Sequence, residues 1–94
     1  MNECFFIGKI ISNINFEFIY KSKNIAITNF RMKLLDNNEI DVKAYNELAD
    51  YCYSKLEIND IIFINGKIET RGIINIKKIK KVYRYLNFTL TIVI

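Results

Sequence analysis

The chain has 94 residues, enough for one domain with a single core and little spare stability. Hydrophobic residues make up 51% and charged residues 26%, with no Pro and three Gly, which excludes a disordered or low-complexity chain. Lys and Arg number 14 against 10 Asp and Glu, and the resulting +4 suits a polyanionic partner without requiring one.

Residues 3–11 alternate as a first strand, with Cys4, Phe6, Gly8 and Ile10 on one face. A glycine inside a strand marks a bulge or tight bend, and a small barrel needs such a bend where one strand serves both of its sides. Ser12-Asn13 interrupts the run, and 16–20 continues it with Phe16, Phe18 and Tyr20 together. Lys21-Ser22-Lys23-Asn24 is a turn. Residues 25–35 form the second strand, with Thr28, Phe30, Met32 and Leu34 on one side and Asn29, Arg31 and Lys33 on the other. Asp36-Asn37-Asn38 is a tight connection to the third strand, 39–45, where Ile40, Val42 and Ala44 alternate with Asp41, Lys43 and Tyr45.

The apolar period then changes. Leu48, Cys52 and Leu56 recur every four residues, which predicts a helix over 46–57 with one buried face. Asn46 is its expected N-cap, its side chain accepting from the first unpaired helical N–H groups. Asn59-Asp60 is turn chemistry that stops it. Alternation returns in a fourth strand, with Ile62, Ile64, Gly66 and Ile68 against Phe63, Asn65, Lys67 and Glu69. Residues 73–85 fit two templates. Ile74 and Ile76 suit a strand, while Ile76, Ile79, Val82 and Leu86 suit a basic amphipathic helix. The tail, 88–94, alternates again as an extra C-terminal strand. An exposed apolar strand would aggregate, so it is expected to pair with the barrel or with another subunit.

A strand-rich chain with a single mid-chain helix has the element order of an OB-fold. The expected class is all-β: a five-stranded OB-fold barrel with one short helix between strands three and four. Residues 1–86 are read as the domain, and 87–94 as a strand of that domain or of a subunit interface.

Several segments resemble the bacterial single-stranded-DNA-binding protein family. Tyr45-Asn46-Glu47-Leu48-Ala49 is similar to that family's aromatic-Gly-basic-Leu-Ala segment at the end of its third strand, and Gly66-Lys67-Ile68-Glu69-Thr70-Arg71 to its Gly-x-Leu-x-Thr-Arg segment on the fourth. Phe6-Ile7-Gly8-Lys9-Ile10 looks like its first strand, Glu17-Phe18-Ile19-Tyr20 like its acidic-apolar-Arg-Tyr segment, and Ile27-Thr28-Asn29-Phe30-Arg31-Met32 like its second strand. The resemblance covers roughly residues 2–85, in order. It implies sequence-independent binding of single-stranded DNA in replication, recombination or repair, and a homodimer or homotetramer. It also favours the strand over 73–85, with a bulge near Lys77-Lys78. The family's tryptophans fall near Asn38, Glu39 and Ile73, so weaker binding than a typical member is expected. Its long hairpin arm is nearly absent at 36–38. Its acidic recruiting tail is expected to be absent as well.

Strand alternation places Arg31, Lys33, Lys43, Tyr45, Lys67 and Arg71 on one outer face, diluted by Glu39, Asp41 and Glu69. Cations track phosphates, and an aromatic gives bases a platform. Tyr45 matches the family's stacking aromatic. Tyr20 and Lys77 complete the expected nucleic-acid-binding set. Lys77, Lys78, Lys80, Lys81 and Arg84 form the densest basic run, either a second phosphate track or a solubilising edge. Phe6, Phe18 and Phe30 read as core.

The sequence has no His, no G-x-S-x-G, no Walker loop and no paired-acid motif, so it reads as a non-enzyme with neither cofactor nor metal. Cys4 and Cys52 fit no metal spacing and read as reduced buried thiols. The N-terminus lacks a signal-peptide layout and no apolar run approaches the roughly 20 residues of a membrane helix, so a cytoplasmic protein without a membrane partner is expected. Two other readings remain open: a primosome-type or RNA-binding OB subunit, and an OB-fold that only mediates protein contacts.

Overall fold

The computed structural model describes residues 3–20, 24–84 and 90–92. The elements are β1 (Glu3–Ile10), β2 (Asn15–Tyr20), β3 (Asn24–Leu34), β4 (Glu39–Tyr45), α1 (Glu47–Lys55), β5 (Ile61–Ile68), a short 3-10 turn (Thr70–Gly72), β6 (Ile74–Arg84) and β7 (Leu90–Ile92). Hydrogen-bonded neighbours run β1-β5-β6-β4-β3, and β3 pairs back onto β1, so five strands close into an OB-fold barrel. β2 extends from β3, and β7 lies on β6. Among the described residues only the β4–β6 contact is parallel, with Lys43 beside Asn75.

Closure depends on β1 serving two partners. Glu3 to Lys9 pair with β5, while Gly8 to Ile10 pair with Leu34 to Met32 of β3. Gly8 belongs to both ladders. A Cβ built there would lie 2.5 Å from the Lys33 carbonyl oxygen, so only glycine lets the two backbones approach. The expected bend at this residue is therefore the closing point of the barrel.

Inward residues follow the predicted alternation. Ile10, Phe30, Met32, Val42, Ala44, Ile62, Ile64, Ile74 and Ile76 form the core, with Cys52 and Leu56 below. Within 73–85, residue 85 lies outside the described residues, Ile74–Arg84 form a strand, and Ile74 to Val82 of β6 pair with β5. Its register shifts between Asn65 and Gly66, whose partners are Lys78 and Ile76, so Lys77 is the bulged residue. The helical reading fails because an extended segment here completes the ladders of both β5 and β4.

The helix is shorter than 46–57, and its start differs in chemistry. Asn46 makes no side-chain cap and adopts φ 55°. Its backbone N–H donates to the Ala26 carbonyl at 2.8 Å, and its Oδ1 accepts from the Ala26 N–H at 3.4 Å. With ψ −117° this is a positive-φ conformation outside the left-handed helical region, and here it turns the chain out of β4 while bonding to β3. Thr28 Oγ1 adds a buried bond to the Ala49 carbonyl at 3.0 Å. At the other end Leu56 is already extended, yet buried. Asp60 closes the following turn by accepting from the Glu57 N–H at 2.8 Å.

Phe30 is buried and Phe6 packs against the core, but Phe18 is 41% exposed. The expectation that Phe18 is core fails because β2 stands outside the closed barrel. Its neighbour Phe16 packs ring to ring with Tyr53 of the helix at 5.0 Å. Among the described residues, no helix is long and apolar enough to cross a membrane.

Candidate nucleic-acid interface

The outer face of β3 and β4 is a ladder of opposed side chains. Ile27 stands opposite Tyr45, Asn29 opposite Lys43, Arg31 opposite Asp41 and Lys33 opposite Glu39. Pairing extends the Lys43 rung both ways, giving Asn15–Asn29–Lys43–Asn75–Lys67 across five strands. Adjacent strands lie about 4.8 Å apart, so this rung is a continuous polar row. Over it opens a hollow of about 440 Å³, lined by Ser12 and Asn15 on one side, Ile73 on the other, and Asn29, Arg31, Asp41 and Lys43 along its length. That is enough for one nucleotide-sized group.

The Arg31 charge is balanced within this face. Its Nε lies 2.9 Å from Glu39 Oε1, and its Nη1 lies 2.9 Å from Asp41 Oδ1. The hydrogen bond to Glu39 and the Asp41 charge push the guanidinium further above its ordinary range. The acids that dilute the face in the sequence are thus arginine partners. Lys43 has no hydrogen-bond or ion-pair partner among the described residues.

The remaining expected residues spread out from this centre. Tyr45 is half-buried one rung beyond the hollow, beside Ile27. Lys33 lies about 13 Å from the Lys43 rung along the strand direction, at four residues' rise. It lines a separate hollow with Lys9, Leu34 and Leu35. Lys67 is exposed on β5, two strands from Lys43. Arg71 is not on a strand: β5 ends at Ile68, and Arg71 sits at φ 73° in the connection that delivers Ile73 to the hollow. Lys77 is exposed on the bulge of β6. Tyr20 ends β2, and its side chain lies outside the described residues. In the basic run, Lys81 is occupied by Asp60 at 3.3 Å and the Lys55 carbonyl at 3.2 Å. Arg84's side chain lies outside the described residues.

Sequence reasoning left Ser12, Asn15, Asn29 and Ile73 out of the site. Asn29 was legible from alternation, since it shares a face with Arg31 and Lys33. Ser12 and Asn15 were not, because only the turn of the chain between β1 and β2 brings them over β3. Ser12 Oγ accepts from the Arg31 N–H at 2.8 Å, which fixes that turn.

No family model matches the sequence, and no curated protein matches it. Solved structures do. The single-stranded DNA binding protein from Thermus aquaticus aligns with a TM-score of 0.78 at 16% identity, over 90% of this chain and 42% of that one, so this chain spans less than half of its length. The SSB domain of a Synechococcus protein aligns at 0.75 and 10% identity, over 84% of this chain and 93% of the domain. The protein priB from Ralstonia solanacearum aligns at 0.69 and 9% identity, over 86% of this chain and 98% of that one. At such identities the likeness is one of fold, the OB barrel that this chain and these structures share.

Proposed function

We propose that this protein binds single-stranded DNA without a stringent sequence requirement, across the outer face of β3 and β4. The observation that carries the reading is the hollow on that face, with the unpartnered Lys43 inside it and Tyr45 one rung beyond. OB-folds bind oligonucleotides on this face and on the loops beside it, here including the β5–β6 connection that carries Arg71 and Ile73. Two of the similar structures carry single-stranded DNA binding in their names or domain descriptions, which supports the same class of ligand.

The roles divide by chemistry. Tyr45 offers a ring for one base. Lys33, Lys43, Lys67, Arg71 and Lys77 attract the backbone, and Tyr20 is kept in the set on the family resemblance alone. Arg31 shapes the face, since a phosphate would have to displace two carboxylates to reach it. Replication, recombination or repair is the setting proposed, in the cytoplasm, with no chemical step carried out by the protein.

A second copy is proposed as a partner. Among the described residues the β1 segment Glu3–Ile7 pairs only with β5, and Phe5 and Leu35, 62% and 82% exposed, stand on two adjoining hollows beside it.

Quenching of tyrosine fluorescence by poly-dT at two salt concentrations tests the binding. Binding that weakens as salt rises is expected. No binding even at low salt overturns the reading, and tighter binding of single-stranded RNA or of duplex would redirect it.

A further inference from the structure

The hollow on the β3–β4 face is unsuited to a phosphate. Asp41 lines it, and the Arg31 charge beside it is already balanced. The side chains instead present a fixed order of donors and acceptors. Asn15 Nδ2 donates to Asn29 Oδ1 at 3.5 Å, which turns the Asn29 amide so that its Nδ2 is the group left without a partner among the described residues. Directly opposite stands Lys43, whose Nζ carries three hydrogens. Side chains facing each other across two strands have Cβ atoms about 4.5–5.5 Å apart, and both residues line the same hollow. Next along β4 is Asp41. Its Oδ1 is held by Arg31 Nη1, leaving Oδ2 as an acceptor. The sequence of groups is donor, donor, acceptor, walled by Ile73.

We propose that this hollow receives one base edge-on and favours bases with two adjacent acceptors, cytosine and guanine, over adenine and thymine. The inference rests on the single-stranded DNA reading and adds a preference to it. Guanine presents O6 and N7 side by side. An unpaired cytosine presents O2 and N3 side by side, with the N4 amino group next in line for Asp41. In adenine and thymine, each acceptor on those edges is flanked by an N–H group or by carbon. Asn29 and Lys43 give one hydrogen each to the paired acceptors. Lys43 keeps its other hydrogens for the neighbouring phosphate.

The test is competition between oligo-dC, oligo-dA and oligo-dT of equal length at fixed salt. A second pair of strands carries, within oligo-dT, either one guanine or one 7-deazaguanine, which lacks the N7 acceptor. Oligo-dC should bind about tenfold tighter than oligo-dT, and guanine should outbind 7-deazaguanine. Asn29→Ala should abolish both preferences and leave the salt slope unchanged, since asparagine is neutral. Asn29→Asp, nearly identical in shape, should push the preference towards adenine and thymine. Equal affinity for all strands, or preferences unchanged in both variants, overturns the inference while leaving single-stranded DNA binding intact. No affinity for any strand removes the binding reading and the inference with it.

Discussion

Arg31 on β3 and Asp41 on β4 stand directly opposite each other and are joined at 2.9 Å, with Glu39 completing the clamp from one rung away. An exposed pair of this kind adds little stability, but a phosphate reaching Arg31 has two carboxylates to displace. The first prediction follows. Lys43→Ala should weaken single-stranded DNA binding and flatten the slope of log affinity against log salt by about 0.7. Arg31→Ala should change that slope much less. Equal effects in salt titrations of both variants would mean that DNA displaces the carboxylates from Arg31.

Tyr45 can be separated from the cations because stacking is insensitive to salt. Tyr45→Ala should weaken binding by about 1–3 kcal/mol with the slope unchanged. Titration at the same two salt concentrations reads both quantities. Parent-like affinity would make Tyr45 an ordinary surface tyrosine.

Gly8→Ala puts a methyl group against the Lys33 carbonyl at the closing seam of the barrel. Backbone on both sides cannot swing away as a flexible side chain would. A loss of about 1–3 kcal/mol is expected, read as a lower urea midpoint. A midpoint equal to the parent's would show that β1 and β3 separate without cost.

Cys52 is fully buried on α1, and burial pushes its thiol up to about 12 from 9.0. Below pH 9.0 the thiol is protonated in both folded and unfolded chains and contributes no pH dependence. From there to about pH 12 the unfolded chain releases the proton and the folded chain keeps it, so stability falls as pH rises. One proton accounts for at most about 1.4 kcal/mol per pH unit. Urea midpoints across the alkaline range should therefore fall less steeply for Cys52→Ala than for the parent. Parallel curves would show that the thiol ionises without unfolding.

Self-association is expected to follow the exposed apolar side chains beside β1. Light scattering at micromolar concentration should report a dimer or tetramer, and Phe5→Glu with Leu35→Lys should shift it towards monomer. A monomeric parent would overturn the assignment.

Much of the barrel was written in the local pattern. The two-residue period of Phe30, Met32, Val42, Ala44, Ile62 and Ile64 chose their buried side, because a strand that inverted it would put every one of them in water. The single switch to a four-residue period located the helix through Cys52. The cationic face followed by elimination, since residues not facing the core must face out. Other features depended on which strands meet. Arg31 looked like a free cation until pairing set Asp41 opposite it. Asn46 looked like a helix cap until β3 offered Ala26 as a partner. Phe18 looked like core until β2 proved to lie outside the closed ring. Residues 73–85 had two valid periods, and the choice fell to the open ladders of β4 and β5. Sequence alone determined which face of each strand turns inward, because burial acts on each residue. The tertiary structure decided which outward residues share a hollow, because hydrogen bonds and charge pairs need two groups brought together from distant parts of the chain.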